Sequence, residues 1–347
     1  MRKAATPAIL LVILLGAGAA AGLVFTWQRI SEPFKGFGTE EQFVEVAPGA
    51  GAPAIGRQLI QAGVVADEFT FRVAIWWTGH SQDLQAGEYR FDRAASAIEV
   101  IARLARGDVY ARRLTFPEGL TIEEMSLLYE SRGFGAASSF LLAAREASLI
   151  HDLDPDATDL EGYMFPETYT LTRRTSVQRL ARLMVGRFRA IYTNDLRRSA
   201  QMQGLTTRQV VTLASLVEKE TGRPEERPLV AAVYRNRLKI GMGLQADPTV
   251  VYALQKAGRY DGNIRRPDLA FDSPYNTYRY AGLPPGPIAA PGRASVEATL
   301  KPASVKYLYF VSRNDGSHVF AETLAEHNRN VHEFQILFFR RTPAQTR

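Results

Sequence analysis

Two glutamates stand one residue apart in the stretch SLVEKETG, at positions 218 and 220. A carboxylic acid can donate a proton to a leaving oxygen and its carboxylate can accept one, so either residue could act as a general acid or base. On a helical wheel the preceding apolar residues, within Val210–Val217, form one stripe, and the two acids flank it on opposite sides. The position relative to this stripe therefore does not indicate which of the two acids is the better catalytic candidate.

The residues one helical turn before each acid do distinguish the two candidates. Glu218 lies over Ala214 and Ser215, whereas Glu220 lies over Leu216. Small side chains beside Glu218 predict room for a ligand, and bulky ones beside Glu220 predict plain packing. The alternative is that both are solvated acids at a helix end, where the helix dipole slightly disfavours them.

The surrounding sequence predicts the elements that would position these acids. Thr206 and Gln209 form a capping box before the helix that carries them. A long basic amphipathic helix is predicted over Ser176–Met202, and Asp247 before Pro248 is predicted to cap another helix. Near the C terminus, YLYFV and SHVF flank NDG as a hairpin, and a helix to about Phe338 follows.

The region after residue 42 reads as a small module with the order strand, helix, helix, strand. FVEV and GEYRF are the predicted strands, and the helices cover Ala54–Gln61 and the residues from a cap at Asp67 to about Thr78. This order resembles a LysM domain, a sugar-binding fold of cell-wall proteins. The alternative is a plain α+β spacer. A turn-rich acidic stretch near residues 150–160 is the predicted boundary to the next domain.

The N-terminal segment predicts a membrane anchor. Arg2 and Lys3 precede an uncharged apolar run, Ala8–Phe25, which is about long enough to span a bilayer as a helix. Trp27 then stands at the far interface, and the basic end is expected to stay in the cytoplasm with the remainder outside. The alternative is a cleaved signal peptide, because small residues stand at A-x-A spacing within the run.

The amino-acid composition excludes several classes of chemistry. The formal net charge of +6 suggests a polyanionic surrounding without saying which one. There is no cysteine, so the chain has no disulfide framework and no thiolate chemistry. The five histidines do not form a metal-binding spacing such as HExxH, so neither a metal nor another cofactor is expected. Nucleic-acid binding is disfavoured because the basic residues are dispersed and the chain is expected to be exported.

Five blocks stand in the same order as in a known family: LASLVEKET, YRNRLKIGMGLQADPTVVYAL, SPYNTYRYAGLPPGPIAAPG, SVEATLKP and YLYFVSRNDGSHVFAETLAEHN. Together with the anchor and the LysM-like region they closely resemble the endolytic murein transglycosylase (YceG-like) family. The resemblance implies a single-pass bacterial inner-membrane enzyme with a periplasmic catalytic domain. Its substrate would be nascent peptidoglycan, cut at the β-1,4 bond between N-acetylmuramic acid and N-acetylglucosamine, and its possible partners would include peptidoglycan synthases.

The family's catalytic glutamate is the first acid of its EKE, which corresponds to Glu218. One carboxyl suffices in such a reaction, because the substrate's own C6 hydroxyl attacks C1 and closes a 1,6-anhydro ring. Glu220 would orient the site or be structural. Further substrate-binding candidates have polar ends for sugar hydroxyls and acetamides or aromatic faces for pyranose rings: Gln245, Asp247, Tyr275, Asn276, Tyr278 and Glu322. For Asp247 a role as a helix cap is the competing interpretation.

The predicted fold class is α+β, with a transmembrane helix, a small LysM-like α/β subdomain and a mostly helical α+β catalytic domain. The predicted ranges are an anchor at 1–29, a linker at 30–42, the LysM-like and connecting region at 43–155 and the catalytic domain at 156–347. A serine acyl enzyme is disfavoured because the S-x-x-K and K-T-G motifs are absent. A noncatalytic glycan-binding scaffold remains the alternative function.

Overall fold

The computed structural model describes residues 5–338, with side chains described from residue 10. The chain forms two compact units, one up to Arg112 and the other from Arg113 onward. Strands are few and short, and helices dominate the second unit. This confirms the predicted α+β class with an N-terminal apolar helix.

The first unit contains the anchor helix and the predicted small module. Its elements are α1 (Ala5–Ser31), β1 (Gln42–Val46), α2 (Ala52–Gln61), α3 (Glu68–Thr78), β2 (Gly87–Phe91) and α4 (Ala97–Arg106). β1 and β2 pair antiparallel, with Gln42 opposite Phe91 and Val46 opposite Gly87. The predicted strand-helix-helix-strand order is confirmed, whereas the likeness to a sugar-binding LysM domain stays a prediction.

Side-chain caps define where α3 and α4 of this unit begin. The Asp67 carboxylate accepts a hydrogen bond from Thr70 N–H at 2.8 Å, as the sequence predicts for the start of α3. Ser96 and Glu99 form a capping box at the start of α4. The last turn of α1 belongs to the same core, because Ile30 is fully buried with Leu59 and Phe71.

The second unit is mainly helical, with two short two-stranded sheets. Its elements are β3 (Arg112–Thr115), α5 (Ile122–Ser131), α6 (Ala137–Ala144), β4 (Thr168–Leu171), α7 (Val177–Ile191), α8 (Asn194–Met202), α9 (Thr207–Glu220), α10 (Arg227–Lys239), α11 (Asp247–Lys256), α12 (Arg293–Leu300), β5 (Tyr309–Ser312), β6 (His318–Ala321) and α13 (Leu324–Val331). β3 pairs with β4, and β5 forms the predicted antiparallel hairpin with β6.

The division between the units differs from the predicted domain boundary near residue 155. Phe116 and Phe140, which precede that position, share one buried core with Leu180 and Val210. Residues 113–155 therefore pack as part of the second unit. The acidic stretch near residue 155 is a surface turn within this unit, so its composition alone does not indicate where the core ends.

Two local predictions are corrected. The expected helix over Ser176–Met202 is two helices, because Tyr192 leaves the helical conformation and the Thr193 side chain caps α8. Asp247 does not cap α11: the cap position is Ala246, and Asp247 is the first helical residue. Its carboxylate instead accepts a hydrogen bond from the Tyr278 hydroxyl at 2.5 Å, so the side chain bonds to another segment of the chain.

Candidate active site

The two glutamates of the EKE stretch lie in the last turn of α9. The predicted capping box of Thr206 and Gln209 begins this helix. From Val210 to Val217 every residue is buried, so the helix runs through the interior of the second unit. It ends at Thr221, whose backbone is extended. Burial of the helix fixes the position and direction of both acids.

The Glu218 carboxylate is held by three donors from two other helices. Its Oε2 accepts hydrogen bonds from Gly292 N–H at 2.9 Å and from the Ser295 hydroxyl at 2.7 Å. Its Oε1 lies 3.4 Å from Nη2 of Arg227, the first residue of α10. The Glu218 side chain is 7% exposed. A carboxylate at the start of α12 also benefits from the unpaired N–H groups of that helix end.

The space over Ala214 and Ser215 is filled by protein. Ala214 packs in the same core as Val296 of α12, and the Ser215 hydroxyl accepts a hydrogen bond from Ile288 N–H at 3.1 Å. The small side chains of Ala214 and Ser215 thus allow α12 and the segment that precedes it to pack closely against α9. This corrects the expectation that these small residues leave room for a ligand. They still serve the site, because this close approach brings Gly292 and Ser295 to Glu218.

A second carboxylate, which the sequence analysis missed, lies beside Glu218. Glu118 stands in the turn between β3 and α5, where Gly119 has a φ of +79° that favours glycine. Gly119 N–H donates to the carbonyl of Ala290 at 2.8 Å, and Lys219 Nζ donates to the carbonyl of Gly119 at 3.1 Å. Lys219, between the two glutamates of EKE, therefore fixes the turn that carries Glu118.

Glu118 and Glu218 face the same guanidinium. Arg227 Nη2 lies 3.9 Å from Glu118 Oε2, and the Glu118 carboxylate packs so closely on Gly292 that a Cβ there would lie 1.9 Å from its Oε1. Burial and the charge of Glu218 raise the pKa of Glu118, against the opposing effect of Arg227. The Glu118 side chain is 46% exposed, so Glu118 forms the open side of the pair.

Glu220 has a different environment from Glu218. Its Oε1 accepts a hydrogen bond from the Tyr234 hydroxyl at 2.5 Å. Burial raises the pKa of Glu220 to about 7, and the charge of Asp247 adds to this effect while the bond from Tyr234 opposes it. Glu220 is therefore a half-buried acid at the end of α9 that is bonded to Tyr234 of α10.

Three of the predicted substrate-binding residues lie on the Glu220 side. Asp247 accepts the hydrogen bond from Tyr278, and its charge acts on Glu220. Gln245 precedes them with an exposed side chain and a φ of +47°. A non-glycine residue with positive φ is uncommon and costs backbone strain, which often marks functional sites. Gln245, Asp247 and Tyr278 thus remain candidates for ligand contact.

Asn276 has a structural role in its loop. Its side chain donates to the carbonyls of Leu269 and Phe271, and its oxygen accepts from Tyr278 N–H. The residue is fully buried. Its amide nitrogen and oxygen, the groups that could bind a sugar, are already bonded to the protein.

Tyr275 and Glu322 lie in two other places. The ring of Tyr275 packs on that of Tyr252, with centroids 4.9 Å apart. Tyr252 donates to Glu161 at 3.2 Å, and burial raises the pKa of Glu161 to about 8. Glu322 is exposed just before α13, where its N–H donates to Glu326. The predicted substrate-binding residues therefore lie in several different places in the structure and are not gathered around Glu218.

Fold and site together define a two-unit α+β protein with an apolar leading helix and a carboxylate pair around a buried arginine. A family model described as the YceG-like family matches residues 44–333, and the chain belongs to that family. It is 31% identical over 302 residues to the endolytic murein transglycosylase of Bacillus subtilis, covering 82% of each chain. It is 28% identical to the protein of that name from Streptococcus pneumoniae, over 94% of this chain and 64% of the relative.

A solved structure shares the fold. The crystal structure of a yceG-like protein from Listeria monocytogenes matches with a TM-score of 0.57 and 30% identity. The match covers 84% of this chain and 98% of that one. The predicted family membership is therefore confirmed by both sequence and structure.

Proposed function

We propose that this protein is an endolytic murein transglycosylase, as its relatives are named. The substrate is a peptidoglycan glycan strand, cleaved at the β-1,4 bond between N-acetylmuramic acid and N-acetylglucosamine to leave a 1,6-anhydro end. The observation that carries the proposal is the carboxylate pair of Glu118 and Glu218 around Arg227. Cleavage within nascent strands would end their elongation, in concert with peptidoglycan synthases.

Glu218 acts first as an acid and then as a base. It donates a proton to the glycosidic oxygen as the bond from that oxygen to C1 breaks. The C6 hydroxyl oxygen of the same muramic acid then bonds to C1, and its proton passes to Glu218. The proton is returned and no water is consumed. The donors from Gly292, Ser295 and Arg227 keep the carboxylate oriented during both transfers.

Glu118 keeps a proton available to the pair. Burial and the neighbouring charge of Glu218 disfavour ionisation of Glu118, so Glu118 holds its proton to a higher pH than a lone glutamate. The raised pKa of Glu118 is in line with this role. Because Glu118 is also the more exposed of the two, the glycan approaches from its side and Glu218 lies behind it.

The apolar helix α1 anchors the enzyme in the bacterial inner membrane. Leu10–Ser31 is long and apolar enough to cross a bilayer, and its apolar stretch is not buried by the described protein. Arg2 and Lys3 favour a cytoplasmic N terminus. Both compact units would then face the periplasm, where the glycan strands are.

Digestion of purified peptidoglycan in water labelled with oxygen-18 tests the reaction. The full-length protein in detergent is suitable, because α1 contributes Ile30 to a folded core. Mass spectrometry is expected to find internal fragments with unlabelled 1,6-anhydro ends, and the Glu218→Gln protein is the control. Labelled reducing ends would identify a hydrolase instead. Binding of glycan without any cleavage would support the noncatalytic scaffold.

A further inference from the structure

An exposed aromatic surface lies on the first unit, where α1 enters it. We define the aromatic surface as Trp27 of α1 with Phe69, Trp76 and Trp77 of α3. Their exposed fractions are 47%, 55%, 76% and 43%, respectively. The ring centroids of Trp27 and Trp77 are 5.3 Å apart, and those of Trp76 and Trp77 are 6.3 Å apart. All three tryptophans of the chain are therefore in one exposed cluster.

Helix α3 is amphipathic in a way that leaves this surface unpacked. Thr70, Phe71 and Ala74 face the core of the unit and are nearly or fully buried. Phe69 and Trp76 are seven residues apart, close to two turns, so they lie along the opposite side of the helix. A stripe of large apolar side chains in water is unfavourable, and on a soluble protein it marks a surface that contacts something else.

The contacts between α1 and α3 set the direction of this stripe. Asp67 at one end of α3 pairs with Arg29 at 2.5 Å, and Trp77 near the other end packs on Trp27. Arg29 and Trp27 are separated by about 3 Å along α1, whereas Asp67 and Trp77 are about 15 Å apart along α3. Both ends of α3 therefore contact the same turn of α1 through their side chains.

We propose that the aromatic surface binds the outer face of the bilayer that α1 crosses. This inference rests on the proposed membrane anchor. If α1 follows the membrane normal, α3 lies near the plane of the surface at the level of Trp27, just beyond the apolar run. Tryptophan is enriched at this depth, because its ring is apolar while its N–H can bond to water or headgroups. An amphipathic helix in this position holds the first unit on the lipid surface.

Tryptophan fluorescence tests the inference directly. The full-length protein is incorporated into vesicles of phosphatidylethanolamine and phosphatidylglycerol. Trp27→Phe leaves Trp76 and Trp77 as reporters, and the double change of Trp76→Phe and Trp77→Phe leaves Trp27 as the matched control for the anchor. Lipids brominated near the headgroup end of the acyl chain quench tryptophans at the interface, and acrylamide quenches those in water.

We expect the Trp27→Phe protein to show blue-shifted emission, loss of intensity with brominated lipid and protection from acrylamide. The inference would be overturned if acrylamide, but not brominated lipid, quenched Trp76 and Trp77. If brominated lipid still quenched Trp27 in the control protein, the anchor would be left intact. Protection from both quenchers would show that a protein segment or second copy covers the surface, which also overturns it. If carbonate released the protein from the membrane and brominated lipid did not quench Trp27, both the anchor and this inference would be overturned.

Discussion

Glu118 and Glu218 are 100 residues apart in the chain and face the same Arg227 nitrogen, at 3.9 and 3.4 Å. The turn of Glu118 is tied to α9 through Lys219, so the spacing of the two acids does not depend on a flexible loop. The two carboxyls share this partner but not the same surroundings. Here the environments differ in exposure, since Glu118 is open and Glu218 is enclosed.

Glu218→Gln is expected to abolish most cleavage while folding and glycan binding are retained. The amide keeps the shape of the side chain but cannot transfer a proton, and such a loss typically lowers the rate on the order of 10² to 10⁴. Release of anhydro fragments is the measurement. Glu220→Gln is the matched control and should keep substantial activity. Parent-like cleavage by Glu218→Gln together with an inactive Glu220→Gln would move the assignment to Glu220.

Glu118→Gln is expected to change the pH profile of cleavage. The raised pKa of Glu118 predicts that Glu118 loses its proton, and the parent part of its activity, at a higher pH than an ordinary glutamate would. The variant should be slower than the parent at its optimum, and its alkaline limb should be displaced from that of the parent. Glu123→Gln, an exposed acid five residues away, is the control. An unchanged rate and profile would remove Glu118 from the mechanism.

Gly292→Ala is expected to displace Glu118 while leaving Glu218 in place. The backbone of Gly292 has a φ of −74°, which alanine adopts without strain, and its N–H can still bond to Glu218. The added methyl group would overlap the Glu118 carboxylate, so cleavage should fall by up to ~10²-fold because the group is misplaced. Gly222→Ala, where a Cβ meets open space, should cleave like the parent. Equal activities with equal melting temperatures would contradict this account.

The stability of the second unit is expected to fall as pH rises from about 5 to 7. Burial raises the pKa of Glu220 to about 7, whereas an unfolded glutamate titrates near ~4.3. Between these values the folded state binds more protons than the unfolded state, so the free energy of unfolding decreases with pH, by on the order of 2–3 kcal/mol in total. Circular dichroism melts should show this slope in the parent and a reduced slope in Glu220→Gln. The same slope in both proteins would assign it to other groups, such as Glu161.

A reporter fused after Arg347 is expected to be active only outside the cytoplasm. The proposed orientation rests on the positive charges of Arg2 and Lys3 before the apolar run of α1. The full-length protein should also resist carbonate extraction from membranes. A cytoplasmic reporter, or a processed soluble form as the sole product, would contradict the anchor.

The sequence determined the features that depend on near neighbours. Capping boxes act over three residues, so the one formed by Thr206 and Gln209 could be read directly from the sequence, and it is confirmed. The apolar run of α1 and the periodicity of α9 follow from composition within a few turns. The long family blocks further identified Glu218 as the candidate acid, although its function remains a proposal.

Only the tertiary structure decided what surrounds that acid. Glu118, Arg227 and the start of α12 with Gly292 and Ser295 are three separate segments of the chain, and no local period relates them. The same limit explains the domain boundary, because the core that joins Phe116 to Val210 is formed by contacts between distant segments. It also explains Asn276: a polar residue in a loop reads as a ligand in sequence, but the carbonyls of Leu269 and Phe271 already use its amide. Such contacts depend on how whole helices pack, which is a property of the assembled core.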